Sequence, residues 1–299
     1  MRQGCLISPL SFNGYSERVM RESADVLSWI GITISGRTIN NLRYADDIVL
    51  VATSKEALQQ LMDRVNETSR KYGLEINTKK TKVMVVSRTR EKISITCNGG
   101  ILEQVESFRY LGVIVEENGD GGREIRARLG MARTAMGSLT ALWRDRAIGT
   151  GLKLRLMRSL VWTVALYGCE TWTLRMEDKR RISAFEMTTY RRMLRVSWRE
   201  FRTNESILEE LRPEQRLLEV VRGRKLNYFG HMIRADKLPA FICQGYVDGK
   251  RARGRPRRRW MDDVEEWTGM TMADCVRSAR NREQWRKLAS STLVTDPQQ

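Results

Sequence analysis

The 299-residue sequence predicts an α+β fold on three observations. Two apolar, β-branched runs flank a short polar turn at Ala45-Asp46-Asp47, the pattern of a β-hairpin. An amphipathic helix and further short apolar strands follow it. Past the turn-rich stretch Asn118-Gly119-Asp120-Gly121-Gly122 the apolar residues recur at helical spacing.

Each element has its own signal. Residues 15–29 read as a helix-like segment, and 39–44 with 48–52 as the two strands of the hairpin. Thr53-Ser54-Lys55-Glu56 reads as a capping box ahead of a helix whose Leu58, Leu61, Met62, Val65 and Tyr72 share a face, and Gly73 stops it. Strands at about 83–86, 92–97 and 109–115 are expected to complete a mixed sheet with the carboxylates at its turn. Beyond the glycines, Ile125, Leu129, Ala132, Met136, Leu139 and Trp143 define one helical face. Leu152, Leu156, Leu160, Val164 and Tyr167 define a second, ended by Gly168, and residues 176–196 form a third helix. The expected domains are 1–117, 118–198 and 199–299.

The charge balance points to a polyanionic partner. Lys and Arg number 53 against 36 Asp and Glu, a formal net charge of +17. Residues 1–115 hold 16 basic and 12 acidic side chains, so most of the excess lies in the helical remainder. No stretch reads as a signal peptide or a membrane span. The five cysteines are scattered and lack a C-x-x-C pair, and His231 is the only histidine, which argues against a zinc site and for reduced thiols inside a cell.

Asp46 and Asp47 are the leading candidates for chemistry. Two adjacent ionised carboxylates are costly to bury without a cation or hydrogen bonds, and Mg2+, which prefers oxygen ligands, is the matching ion. The same residues also suit a solvated hairpin turn, where Asp is common.

Four segments carry a family resemblance. They are Arg2-Gln3-Gly4-Cys5-Leu6-Ile7-Ser8-Pro9, Tyr44-Ala45-Asp46-Asp47, Tyr72-Gly73-Leu74-Glu75-Ile76-Asn77-Thr78-Lys79-Lys80-Thr81-Lys82 and Phe108-Arg109-Tyr110-Leu111-Gly112. In this order they resemble the palm of reverse transcriptases, most closely those of non-LTR (LINE-type) retrotransposons, over roughly residues 1–200. The resemblance implies a partial palm with the YADD hairpin, then a helical thumb, then a basic, mainly α C-terminal region. It implies an RNA-directed DNA polymerase working with two Mg2+ ions, deoxynucleoside triphosphates, an RNA template and a DNA primer. Asp46 becomes the principal metal ligand and Asp47 the secondary one. Arg2, Gln3, Gly4 and Tyr44 lie against nucleotide and template. Lys80 is the choice for the lysine near the triphosphate, with Lys79 and Lys82 as alternatives. Phe108, Tyr110, Leu111 and Gly112 correspond to the primer grip, for which a buried edge strand is an equally consistent reading. In the family the first metal-binding aspartate precedes the Arg-Gln-Gly motif, whereas Asp25 is the only aspartate here before Tyr44, and it follows that motif. The expectation is a polymerase fragment that is inactive alone, without an endonuclease domain, and resident in nucleus or cytoplasm.

The region from about residue 199 resembles the C-terminal extensions of some LINE-type proteins, with Trp260, Trp267 and Trp285 read as core. Residues 250–259 place seven basic side chains in ten, namely Lys250, Arg251, Arg253, Arg255, Arg257, Arg258 and Arg259. The arginines suit phosphate binding, an AT-hook-like entry into the minor groove, or nuclear localisation. They equally suit a basic linker whose Pro256 opens a helix with Asp262 and Asp263 in its first turn. Two functional classes follow: a portion of a polymerase, or a non-catalytic nucleic-acid-binding remnant of such an element. An unrelated helical interaction protein leaves the order of the motifs unexplained.

Overall fold

Short strands closed by two-residue turns dominate the first part of the chain. The structure, a computed structural model, describes residues 5–87, 91–245 and 257–291. Helix α1 (Ser8–Glu22) precedes hairpin β1 (Ile32–Ile34) and β2 (Arg37–Ile39), then hairpin β3 (Asn41–Tyr44) and β4 (Asp47–Leu50). Helix α2 (Lys55–Lys71) leads to β5 (Lys82–Val83), β6 (Thr96–Cys97), β7 (Gly100–Ile101), β8 (Glu103–Gln104), β9 (Ser107–Tyr110) and β10 (Val113–Glu116). Contacts divide the chain into one unit of residues 5–87, 91–108, 116–119 and 244–245, and another of 109–115, 120–243 and 257–291.

Among the described residues the mixed sheet expected from the sequence does not form: ten strands instead make five two-stranded pairs, of which only β5 with β8 is parallel. The strands are two to four residues long, and turn residues such as Ser35-Gly36 and Asn98-Gly99 reverse the chain before a wider ladder develops. The strand expected at 83–86 shrinks to Lys82–Val83, with Val86 exposed, and that at 92–97 to Thr96–Cys97. The first helix also differs from expectation. It starts early at Ser8, with Pro9 in the first turn where a missing N–H costs nothing, and ends at Glu22. A 3-10 turn at Asp25–Leu27 follows, and Trp29 is exposed.

Helix α2 forms as its pattern predicts. Ser54 caps it by accepting the Ala57 N–H at 3.2 Å, Leu61, Met62 and Val65 are buried, and Gly73 takes a positive φ just beyond its end. Leu61 and Val65 pack with Met20, Ala24 and Ile30, while Met62 packs with Val83, Ile95, Cys97 and Leu102. Asn40 anchors the next strand by donating to the carbonyls of Ala24 at 2.6 Å and Leu27 at 3.1 Å.

The second unit is helical. Its elements are α3 (Gly122–Ser138), α4 (Thr140–Arg144), α5 (Thr150–Met157), α6 (Thr163–Ala165), α7 (Met176–Leu194), α8 (Asn204–Leu211) and α9 (Leu217–Ala235). After these come α10 (Leu238–Gln244), α11 (Trp260–Thr268), α12 (Met272–Arg280) and α13 (Arg282–Ser291). Ile125, Leu129, Ala132, Met136 and Trp143 are buried as the spacing predicts. The second predicted face is met only at Leu156 and Val164, which pack against the core. Leu152, Leu160 and Tyr167 are exposed, and Met157, Val161, Trp162, Ala165 and Leu166 are buried instead. A π-helical turn at Arg158–Trp162 lies between α5 and α6, and such an insertion shifts the inward face that a regular 3.6-residue period projects.

A buried ion pair fastens the last helices to the rest of this unit. Lys225 on α9 and Asp263 on α11 are both fully buried, 2.5 Å apart. Lys225 also donates to the Trp172 carbonyl at 2.7 Å, and Asp263 accepts the Leu174 N–H at 3.0 Å and Arg258 at 2.6 Å. Burial pushes the Lys225 amine down to about 8, against the opposing pull of Asp263. Nearby, Trp285 donates to the Leu226 carbonyl at 2.8 Å and lies on α9 at Gly230, where an added Cβ would meet the indole at 2.3 Å. Trp260 and Trp267 are partly buried against the same apolar cluster, in keeping with their reading as core.

A buried pair left half-broken is strongly destabilising, whereas an apolar replacement of both members is tolerated. Asp263→Leu or Lys225→Met is therefore expected to cost about 3–5 kcal/mol in urea unfolding. Lys225→Met combined with Asp263→Leu should cost less than either. Simple additivity of the two singles would contradict this account of the pair.

Candidate active site

The site begins with how β3 is held. Arg43 donates to Glu17 of α1 at 2.7 Å and pairs with Asp25, and Asn41 donates to Asp25 at 3.3 Å. Residues of one parity along β3 thus face helix and 3-10 turn. Leu42 and Tyr44, of the other parity, are exposed, Tyr44 by 62%. Register places Asp47 opposite Tyr44, on that same open side.

Asp46 sits in the two-residue turn and Asp47 opens β4, and both side chains are exposed. The cost of burial therefore plays no part in their pairing, which corrects the argument made from the sequence. Neither makes a side-chain hydrogen bond or ion pair among the described residues. Ala45, the first turn residue, has φ +53, a conformation that suits glycine and strains a residue bearing a Cβ.

Two adjacent carboxylates are the right donor chemistry for a hard divalent cation. They make a partial set, since no group of three His, Cys, Asp or Glu side chains is gathered among the described residues. Asp25 is committed to Arg43 and Asn41.

The lysine cluster separates by environment. Lys82 lies in β5 and pairs with Glu103 at 2.5 Å. Lys79 and Lys80 are exposed in a turn where the Lys80 N–H donates to the Asn77 side chain at 3.1 Å, and their amines have no partner among the described residues.

The hairpin of β9 and β10 turns through Leu111 at φ +48 and Gly112 at φ +81. Such a two-residue turn favours Asn-Gly, which the chain does use at Asn98-Gly99, so Leu111 is strained. Its surroundings hold it there. Tyr167 donates to the Leu111 carbonyl at 3.0 Å, and Arg128 donates to the Gly112 carbonyl. The Arg128 guanidinium lies 4.3 Å over the Tyr167 ring and pairs with buried Glu124 at 2.5 Å. Glu124 accepts the Ile114 N–H at 2.8 Å. Sequence reading missed Glu124, Arg128 and Tyr167. The first two stand i, i+4 on α3, a spacing that ordinarily marks a surface pair. Phe108 and Leu111 are each 39% exposed, so the hairpin is not a buried edge strand at those positions.

The C-terminal end of the basic run is built into α11. Arg258 pairs with Asp263 and Glu266, and Arg259 with Asp262 at 2.8 Å, while Arg257 is exposed. Asp263, read from the sequence as a first-turn charge, is the buried partner of Lys225. Arg2, Gln3, Gly4, Arg251, Arg253 and Arg255 lie outside the described residues.

Relief of the turn strain should be measurable. Leu111→Asn is expected to stabilise the chain by about 1 kcal/mol, and Arg128→Met, which strands Glu124, to destabilise it by about 3 kcal/mol in urea unfolding. A neutral or destabilising Leu111→Asn would contradict the strain.

Residues 1–115 match the reverse transcriptase (RNA-dependent DNA polymerase) family. The chain is 27% identical over 272 residues to a transposon-derived protein of Caenorhabditis elegans, covering 84% of this chain and 95% of that protein. It is 27% identical over 172 residues to the Pol polyprotein of type-1 retrotransposable element R2 of Nasonia vitripennis, 54% of this chain and 16% of the polyprotein. It is 22% identical over 164 residues to the RNA-directed DNA polymerase of mobile element jockey of Drosophila melanogaster, 52% of this chain and 18% of the polymerase. The chain thus spans less than a fifth of the R2 and jockey proteins. Residues 1–115 are thus similar to the reverse transcriptase family, and the chain is similar to proteins of non-LTR retrotransposons.

Proposed function

We propose that the chain is a nucleic-acid-handling portion of a reverse transcriptase, with Asp46 and Asp47 as its metal-binding carboxylates. The observation that carries this is an exposed, unpartnered carboxylate pair at the tip of a strained hairpin, within the segment that matches the family. Strain held in place at an exposed turn is a common property of functional sites.

The parts of the site follow from the residues. Asp46 is the principal ligand and Asp47 the second. When bound, Mg2+ supplies activation of the primer hydroxyl and charge neutralisation at the departing pyrophosphate. Tyr44, with Arg2, Gln3 and Gly4, contacts nucleotide and template. Lys80 or Lys79, whose amines are exposed, meets the triphosphate, while Lys82 is occupied by Glu103. Phe108, Tyr110, Leu111 and Gly112 support the primer end, held by Arg128 and Tyr167. The substrates are deoxynucleoside triphosphates on an RNA template and DNA primer, in the nucleus or cytoplasm. The arginines of 251–259 add phosphate contacts, with Arg258 and Arg259 weakened as contributors by their internal ion pairs. No helix among the described residues is long and apolar enough to cross a membrane.

The 299 residues by themselves form an incomplete polymerase site, because two carboxylates are a sparse set for an ion that dehydrates reluctantly. The purified chain is expected to bind an RNA–DNA primer-template without extending it in Mg2+, and Asp46→Asn should leave that binding within about twofold. Templated extension that disappears in Asp46→Asn would show that the chain completes the site, and would overturn its inactivity.

A further inference from the structure

The helical unit carries a cavity of about 880 Å³ between α7, α9 and α11 that the polymerase reading does not use. Five cations line it, Lys179, Arg180, Arg191, Arg216 and Arg222, against one carboxylate, Glu266. Of the five, Lys179 and Arg216 are offset by ion pairs, and Arg222 is not free either. Lys179 pairs with Glu266 at 2.5 Å, and Arg216 pairs at 2.8 Å with Glu186, a buried carboxylate that also accepts the Leu217 N–H and the Tyr190 hydroxyl. Arg191 has neutral partners, the Arg202 carbonyl at 3.1 Å and the Asn204 side chain at 2.8 Å. Arg180 is exposed and makes no hydrogen bond or ion pair among the described residues. The cavity therefore keeps a positive excess concentrated on one side of α7, where Arg180 and Arg191 stand three turns apart.

Its remaining wall is apolar. Trp267, Met187 and Leu218 line it, and the Arg222 guanidinium lies 5.6 Å from the centre of the Trp267 ring. A purely hydrated anion gains nothing from an indole and a thioether. A ligand that joins a flat aromatic group to phosphates uses both halves. The volume sits within the ordinary range for small-ligand sites, roughly 300–1,000 Å³, which suits one or two nucleotides. A duplex, whose bases are stacked and paired inside it, cannot place a base against Trp267 without opening.

We propose that this cavity binds single-stranded polynucleotide, seating a base against Trp267 and Met187 and its flanking phosphates on Arg180 and Arg191. The proposal rests on the nucleic-acid part of the polymerase reading and is independent of the carboxylate pair. Arginine is suited to the task because its planar fork donates two parallel bonds to a phosphate.

The test is fluorescence anisotropy of the full chain with a labelled oligo-dT octamer, a matched duplex, and inorganic phosphate or dTTP as competitors. Arg180→Gln with Arg191→Gln should weaken octamer binding by at least about 100-fold, the loss expected from two charged hydrogen bonds. It should also flatten the slope of log affinity against log salt by about 1.4. The same pair of substitutions at Arg282 and Arg286, exposed on α13, controls for net charge and should change octamer affinity by less than about half as many decades. Duplex affinity should hold within about twofold. An equal loss in the control pair, an equal loss for duplex, or a wild-type chain that ignores the octamer would each overturn the proposal. Competition by phosphate or dTTP as effective as unlabelled octamer would replace the strand with a free phosphate ligand, and would overturn it too. Mg2+-dependent behaviour of Asp46→Asn is unaffected by these substitutions, so failure of one reading shows apart from failure of the other.

Discussion

Lys225 and Asp263 impose a demand that much of the helical unit answers. Neither is exposed at all, so each charge needs partners on every side. The partners are supplied by three separate stretches of chain: α9 through Lys225, the 172–174 segment through a carbonyl and an amide, and the start of α11 through Asp263 and Arg258 just before it. Fixing Asp263 fixes α11, and with it Glu266 and Trp267, which form one wall of the cationic cavity. The same pair draws Arg258 out of the basic run and turns it into a structural cation. A feature thirty-eight residues apart in sequence thereby decides which arginines remain for a polyanion.

The two candidate hairpins share a different economy. Both close through a residue that pays a conformational penalty, Ala45 in one and Leu111 in the other, where glycine or asparagine would sit without strain. Both expose the side chains at their tips. They differ in how they are held: the first by Arg43 against Glu17 and Asp25, the second by Arg128, Glu124 and Tyr167. In each an arginine reaching carboxylates does the holding, so the tip stays open while the base is fixed. That arrangement suits a turn that must present a group to a ligand rather than bury it.

Much of this was legible in the sequence. The Tyr44 to Asp47 turn, the α2 face through Leu61, Met62 and Val65, and the α3 face through Ile125 to Met136 follow from local periodicity and turn chemistry, which act over a few residues. The failures have equally physical causes. The Leu152 to Tyr167 stripe assumed a regular helix, and the π turn at 158–162 moved the inward face. The mixed sheet assumed that short β-branched runs find one another, whereas their turns close them in pairs. Lys225 with Asp263, and Glu124 with Arg128, are buried charges whose partners become visible only when helices pack. The cation-lined cavity was hidden for the same reason, since its arginines are spread over three helices among many others on the surface.

The central claim is that Asp46 and Asp47 gather a divalent cation at the hairpin tip, and Fe2+-promoted backbone cleavage reads this directly. With Fe2+ in place of Mg2+, primer-template present, and hydrogen peroxide with ascorbate added, hydroxyl radicals formed as the bound Fe2+ reduces peroxide should cut the chain close to residues 44–48. Excess Mg2+ should suppress that cut, and Asp46→Asn combined with Asp47→Asn should abolish it. Cleavage that falls elsewhere, or that persists unchanged in the double variant, would contradict the account.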